Sequence, residues 1–209
     1  MNNEYNVLAF IIQLRLIAAM IDQTRELILE AAGKRFTHYG YSKTTIAEIA
    51  ADCEMSVGNV YRFFTNKEAI ALAGAEQKME EKASACEAVV DIHDAAVTQL
   101  ASYCHQRLAM THGMACNSPH LNELVGLITE RHQEVVQLYD GRVQAAIESI
   151  LERGIASGEM RDMDVAQSAA AIRVATFKYC IPTYMHQPIE VLQAELDGLI
   201  SLIYQGLKA

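Results

Sequence analysis

Apolar residues recur along this chain at steps of three and four, the spacing that lines one face of a helix. Nowhere do they alternate with polar residues as a half-buried strand requires. Leu27, Ile28, Ala31, Ala32, Phe36 and Tyr39 make the first clear stripe. It predicts a helix capped by Asp22 and ended by Gly40, a residue that accepts a left-handed backbone without penalty. After a polar link, Thr44 or Thr45 caps a short second helix, with Glu48 placed for a capping box and Ile46, Ile49, Ala50 and Cys53 facing inward. Ser56 caps a third helix, with Val60 and Phe64 inward and Asn59, Tyr61 and Arg62 on accessible sides. Thr65 or Asn66 opens a fourth that runs to about Val90, long enough to join two domains.

Every later segment also reads as helix. Ala95 to Thr111 is one, broken by the stretch around Gly113, Asn117 and Pro119. Leu121 to Leu127 is short. Glu130 to Ser157 is long, with Val135, Tyr139, Val143, Ile147, Ile150 and Leu151 as its stripe. Asp164 to Tyr184 stops near Pro182, and the last helix, from Ile189 to Leu207, carries Leu192, Leu196, Leu199 and Ile203. The expected fold is all-α, with an N-terminal three-helix helix-turn-helix domain (22–67) joined by a long helix to a C-terminal helical domain (68–209), behind an N-terminal extension (1–21). Two helices separated by a turn of three or four residues, within a three-helix unit, form the module that places its second helix in a major groove.

Net charge qualifies that reading. The chain carries a formal −9, which argues against a nucleic-acid partner until the chain is divided. From Asp22 to Lys67 six basic residues balance six acidic ones; from Glu68 to Ala209 there are ten basic and nineteen acidic residues. The acidic excess therefore begins where the candidate DNA-binding part ends, as suits a protein that offers DNA one end only.

The five cysteines are scattered, odd in number and without metal-ligand spacing, so a reduced, cytoplasmic setting is expected, with no metal or cofactor. Gly-rich phosphate loops, HExxH and GxSxG are absent, and no catalytic residues are assigned. Val7 to Ile21 is apolar but interrupted by Gln13 and Arg15, too short for a membrane span, and Glu4 stands where a signal peptide needs basic residues. Two expectations remain for it: an extra amphipathic helix packed on the body, or a translation start at Met20. The organised pattern beginning at Asp22 favours the second.

The run Thr44-Thr45-Ile46-Ala47-Glu48-Ile49-Ala50, then Met55-Ser56-Val57-Gly58-Asn59-Val60-Tyr61-Arg62-Phe63-Phe64, then Asn66-Lys67-Glu68, resembles the TetR family of bacterial regulators. Ile28-Leu29-Glu30-Ala31-Ala32 and Phe36-Thr37-His38-Tyr39-Gly40-Tyr41 match as well. Together these cover roughly residues 25 to 70, and a looser pattern runs from Gly154 to Arg161. The resemblance implies an effector-binding and dimerising C-terminal domain. It further implies a homodimer through helices at about 164–184 and 189–207, and a small-molecule effector that alters the spacing of the two reading heads on double-stranded DNA. Repression at a palindromic operator is the expected outcome; a helical dimeric adaptor that has lost specific DNA binding is the alternative.

Carried over by position, the resemblance makes Tyr61 a phosphate-contacting aromatic, Lys67 a contact to the DNA backbone and Thr45 a phosphate-holding helix start. Val57 and Asn59 fall where base edges are read: Asn pairs bidentately with adenine, and Val meets a thymine methyl. Gly58 permits close backbone approach. Ser56 and Arg62 complete the expected surface, and Lys43 adds a longer-range phosphate contact. The family usually has glycine in the turn where this chain has Glu54, a departure that costs about 1 kcal/mol if the backbone there is left-handed. For the effector, the candidate polar groups are Cys104, His105, His132, Tyr139 and Tyr179, with Met79, Met110 and Phe177 as apolar lining.

Overall fold

Residues 2–39 contain no proline and a single glycine, Gly33, so nothing in them breaks a helix. In the computed structural model, which describes the backbone of residues 2–209 and the side chains of 13, 15 and 19–209, α1 runs unbroken from Asn2 to Tyr39. Asp22 is therefore not a cap, contrary to expectation. Thr24 Oγ1 donates to the Met20 carbonyl at 2.8 Å, one turn back across that position. A helix start needs a break in the backbone as well as a capping side chain, and an exposed Asp inside a helix costs only a few tenths of a kcal/mol. The buried stripe also shifts: Ile28, Leu29, Ala32 and Phe36 are buried, whereas Leu27 and Tyr39 are exposed. The packing expected of the apolar stretch before Met20 lies largely outside the described side chains.

The chain packs as two units, residues 1–74 and 75–209. The first holds α1, α2 (Ile46–Asp52), α3 (Val57–Phe63) and the opening turns of α4 (Lys67–Ala88). Its caps follow the sequence. Thr45 Oγ1 accepts from the Glu48 N–H at 3.3 Å, and the Thr45 N–H donates to Glu48 Oε2 at 2.8 Å, a reciprocal capping box. Ser56 Oγ accepts from the Asn59 N–H at 3.2 Å, and Asn66 Oδ1 from the Ala69 N–H at 2.8 Å. Ile28, Ile49, Val60, Phe64 and Ile70 fill the core between these helices. Arg35 of α1 grips Asp52 at the end of α2 with two parallel bonds of 2.5 and 2.8 Å.

Glu54 is the only described non-glycine residue with positive φ, at 53°. The Glu54 N–H donates to the Ala51 carbonyl (3.1 Å) and the Met55 N–H to the Ala50 carbonyl (2.9 Å). This crossed pair is a Schellman ending, which requires a left-handed residue just past the helix. Glu54→Gly is expected to raise the stability of this unit by about 1 kcal/mol, read as a higher unfolding midpoint in urea with an unchanged slope. A lower midpoint would show that the Glu54 side chain has a stabilising partner that outweighs the strain.

The second unit is built on α5 (Ala96–Cys116) and α7 (Gln133–Ala156), with α6 (Leu121–Arg131) against α7, α8 (Val165–Ala175) also against α7, and α9 (Ile189–Leu207) against α5. Leu100, Leu108, Ile147, Leu151, Leu192 and Leu196 are among its most buried side chains. Four boundaries differ from expectation, one of them the start of the long helix expected from Glu130, which begins at Gln133 after a break at His132. Gly113 remains inside α5, which continues to Cys116, because one glycine lowers helix propensity without blocking the hydrogen bonds. The second helix of this unit runs past Leu127 to Arg131. The helix expected over 164–184 ends at Ala175 and continues as two short 3-10 turns, Phe177–Cys180 and Pro182–Tyr184. There Thr176 Oγ1 donates back to the Ile172 carbonyl at 2.9 Å, competing with helix continuation, and Pro182 supplies no N–H.

The loose Gly154 to Arg161 pattern has a physical basis. A Cβ at Gly154 would lie 2.7 Å from Met160 Sδ and 2.8 Å from Ala96 Cβ, so α7 and α5 meet there at a distance only glycine permits. Gly158, with φ of 75°, turns the chain, and Glu159 then reaches the open start of α5. Its carboxylate accepts from the backbone N–H of Ala96 at 2.6 Å and of Val97 at 3.1 Å. α5 has no capping side chain of its own, and Glu159 supplies both the acceptor and the negative charge that a helix N-terminus favours.

Candidate nucleic-acid interface and a buried cationic cluster

α3 is seven residues long and amphipathic in the strict sense. Val60 and the following Phe64 are buried, whereas Ser56, Val57, Gly58, Tyr61 and Arg62 are exposed and Asn59 is half-exposed. Two features of that face are uneconomical for folding alone: Val57 is 38% exposed and Tyr61 51% exposed. Gly58 has no internal reason to be small, since a Cβ there would meet only Ser56 Oγ, at 3.9 Å. Around α3, Lys43 and Thr45 are exposed at the loop before α2 and its first turn.

The neutral charge balance of this part is also unevenly deployed. Arg35 holds Asp52 and stands 3.3 Å from Glu48, and Lys34 pairs with Glu30. The Thr45 hydrogen bonds hold the Glu48 carboxyl below its ordinary value, so it stays ionised as the cap. Lys43 and Arg62 make no ion pair among the described residues and stay available to an anionic partner. Lys67 is placed differently. Its Nζ donates to the carbonyls of Tyr41 (2.7 Å) and Thr44 (2.9 Å) and lies 4.2 Å from the centre of the Tyr41 ring. It thus pins the loop that leads into α2, with one of its three N–H donors left over.

The second unit contains a polar group that the sequence did not single out. Arg107 of α5 is 4% exposed, embedded beside Tyr103 and Cys104 in the main apolar cluster. No protein group accepts from its Nε or Nη1. Its guanidinium carbon is 5.9 Å from the centre of the Tyr103 ring. Lys82 of α4 donates through Nζ to Thr111 Oγ1 at 2.6 Å and lies 6.0 Å from the centre of the Tyr139 ring. The Tyr139 hydroxyl is buried and feels the Arg107 charge without meeting hydrogen-bond geometry to any protein group. Burial pushes Lys82 below its ordinary value, assisted by the neighbouring Arg107 charge. Both cations sit on their helices' buried stripes. Arg107 follows Leu100, Tyr103 and Cys104 at steps of three and four, and Lys82 precedes Ala83 and Cys86. That spacing is the signal the sequence carries, although Lys and Arg are ordinarily surface residues.

Two family models match this sequence. One, described as bacterial regulatory proteins of the tetR family, matches residues 28–73; the other, a tetracyclin repressor-like C-terminal domain, matches residues 96–197. The chain belongs to the TetR family. It is thus a DNA-binding transcriptional regulator and not an enzyme. The helix-turn-helix-type transcriptional regulator YhgD of Bacillus subtilis (strain 168) is 29% identical over 190 residues, covering 88% of this chain and 97% of the relative. A TetR-family regulator from Mesorhizobium loti shares the fold with a TM-score of 0.74 at 16% identity, over 90% of this chain and 98% of that one. The regulator FadR of Bacillus subtilis, solved in complex with stearoyl-CoA, aligns with a TM-score of 0.64 at 18% identity, over 87% and 98% of the two chains.

The remaining effector candidates of this TetR-family chain are spread out. Cys104 (3% exposed), Tyr139 and Met110 belong to or pack against the apolar cluster around Arg107. Tyr179 is buried in the first 3-10 turn, where burial pushes its hydroxyl up, and Phe177 beside it is 54% exposed. His105 pairs with Asp197 of α9 at 2.6 Å. His132 forms the junction of α6 and α7, with Nδ1 3.5 Å from Glu134. Met79 is half-buried on α4. The structure thus gathers Cys104, Met110, Tyr139 and Tyr179 in one apolar cluster and leaves Phe177, His105 and His132 in other surroundings. No helix among the described residues is long and apolar enough to cross a membrane.

Proposed function

We propose that this protein is a homodimeric repressor that binds a palindromic operator through α3 and is released by a small molecule held in its second unit. The observation that carries this reading is the outward face of α3. An exposed Val57, an exposed Tyr61 and a glycine with no packing duty stand beside Arg62 and Asn59, on a helix locked from behind by Val60 and Phe64. Val57 and Asn59 read bases, Gly58 lets the helix approach them, and Tyr61, Arg62, Lys43, Ser56 and Thr45 hold phosphates. Lys67 keeps the entry loop of α2 in place and offers its third donor to the DNA backbone.

Dimerisation through α8 and α9 is supported by their outer faces. Val174 is 68% and Leu202 71% exposed; Val191 and Phe177 are exposed too, and Ala171, Ala175, Ala194 and Gly198 fill the spaces between. An apolar surface with small residues at helical spacing suits a second copy of the same helices better than water. The relatives support a ligand for the helical domain: one solved FadR carries stearoyl-CoA, and a regulator of known structure is described as a ketosteroid regulator. α4, continuous from Lys67 to Ala88, connects such a ligand to the DNA-binding unit. The cytoplasm is the setting this role requires.

Selection of bound DNA from a random pool by the purified protein tests this reading. The expected result is a palindrome whose half-sites lie one helical turn apart, roughly 34 Å centre to centre. Recovery of sequences without two-fold symmetry would rule out the dimeric docking.

A further inference from the structure

We infer that the effector is an organic anion, an oxyanion headgroup on an apolar body, whose headgroup is received by Arg107 and Lys82. This rests on the reading of the second unit as the effector domain and names the chemical class it takes. Arg107 lies buried in an apolar core, and Lys82 stands half-buried at its side. Among the described residues neither is paired with a carboxylate, although acidic residues outnumber basic ones nearly two to one in this part of the chain. A guanidinium cannot shed its proton, so Arg107 keeps its charge.

The acidic groups that face the pair are the thiols of Cys86, Cys104 and Cys180 and the hydroxyls of Tyr103 and Tyr139. Burial keeps the Cys86 and Cys104 thiols and both hydroxyls uncharged. Burial pushes Cys86 up to about 11, Cys104 to about 12 and Tyr139 to about 12, and raises Tyr103 further. The Cys180 thiol is spent as a donor to the Thr176 carbonyl at 3.6 Å. Lys82 has one bond, to Thr111 Oγ1, which itself donates onward to the Arg107 carbonyl at 2.7 Å.

Arg107 Nε and Nη1 and the Tyr139 hydroxyl are three buried groups that lie together, the hydroxyl within reach of the guanidinium and none of them with a well-aligned hydrogen bond to a protein group. Two guanidinium donors, a phenol donor and an ammonium match the acceptor oxygens of a carboxylate or phosphate, which Arg binds as a fork and Lys as a point charge. The apolar cluster to which Tyr103, Cys104 and Leu108 belong, with Met110 packed against it, receives the rest of the molecule. Contrast Arg173, buried at its Nε but anchored to Asp140 at 3.0 Å, and Arg142, paired with Glu80 and Glu87. Those two arginines have their counter-ions. Arg107 and Lys82 do not.

Titration calorimetry on the full chain without DNA tests this, with decanoate, decyl phosphate, decanol and inorganic phosphate as probes. Decanoate or decyl phosphate is expected to bind, the tighter of the two naming the headgroup, with decanol and inorganic phosphate at least about tenfold weaker. Arg107→Met is expected to cut the affinity for the tighter anion roughly a hundredfold, because it removes one partner of a desolvated charge pair. The same variant is expected to melt at the wild-type temperature or a few degrees above, since it removes an uncompensated buried charge. Lys82→Met should behave alike, and Arg107→Lys should fall between.

The inference is overturned if neither anion binds, if decanol or inorganic phosphate binds as tightly as the anions, or if Arg107→Met retains full affinity. It is also overturned if Arg107→Met and Lys82→Met both melt well below wild type, for the charges would then serve the fold. Anion binding that leaves an operator complex intact would sink the proposed release mechanism while leaving this inference standing. Release of operator by neutral compounds alone would do the reverse.

Discussion

Lys67→Ala is expected to lower the stability of the DNA-binding unit by about 2–3 kcal/mol, the range for losing hydrogen bonds from a charged donor. It is also expected to weaken operator binding by an order of magnitude or more. The first effect follows from geometry: Nζ bridges the carbonyls of Tyr41 and Thr44 and so ties both ends of that loop together. Without it the approach to Thr45 loosens, and with it the capping box that starts α2. The second effect has two sources that salt separates. If the third ammonium donor meets a DNA phosphate, as its place in the family motif implies, the slope of log affinity against log salt falls by about one. A loss of stability with an unaltered slope would confine Lys67 to pinning the loop. Unaltered stability would show that the two carbonyl bonds matter little.

Gly154→Val is expected to destabilise the second unit by about 3 kcal/mol, a melting temperature lowered by roughly 6–10 °C in a chain of this size. Met160 can swing its sulfur away from a new side chain, but Ala96 Cβ at 2.8 Å is attached directly to the backbone of α5. Relieving that contact separates the start of α5 from the end of α7 and draws Glu159 off the amides of Ala96 and Val97, so a cap worth about 1 kcal/mol is lost with the packing. Gly141→Ala on the same helix is the control. Nothing lies within 4 Å of a Cβ there, and replacing glycine by alanine inside a helix gains roughly 1 kcal/mol. A Gly154→Val protein that melts with wild type would refute the close approach.

These two positions differ in how they were legible. Lys67 stands in a run of residues whose order resembles the TetR family, and its importance was apparent in the sequence, although its two carbonyl partners lie 26 and 23 residues away and were not. Gly154 was visible only as part of a loose pattern, because what demands glycine there is Ala96, on another helix. The effector candidates show the same divide. Residue type marks Cys104, Met110, Tyr139 and Tyr179, which share one apolar cluster, and equally His105 and His132, which lie elsewhere. It does not mark Arg107 and Lys82, since their burial depends on which helix faces fold together.

The short-range features were determined by the sequence alone: the Thr45–Glu48 box, the Ser56 and Asn66 caps, the left-handed Gly40 (φ of 96°) and Glu54, and the inward Val60 and Phe64. Each of these rests on hydrogen bonds or sterics spanning at most five residues, so the information is local. The capping of α5 by a carboxylate 63 residues distant, the close approach at Gly154 and the unpaired Arg107 were decided by the tertiary structure. A cap from another segment, a contact between two helices and the burial of a charge all depend on neighbours that the order of residues does not name.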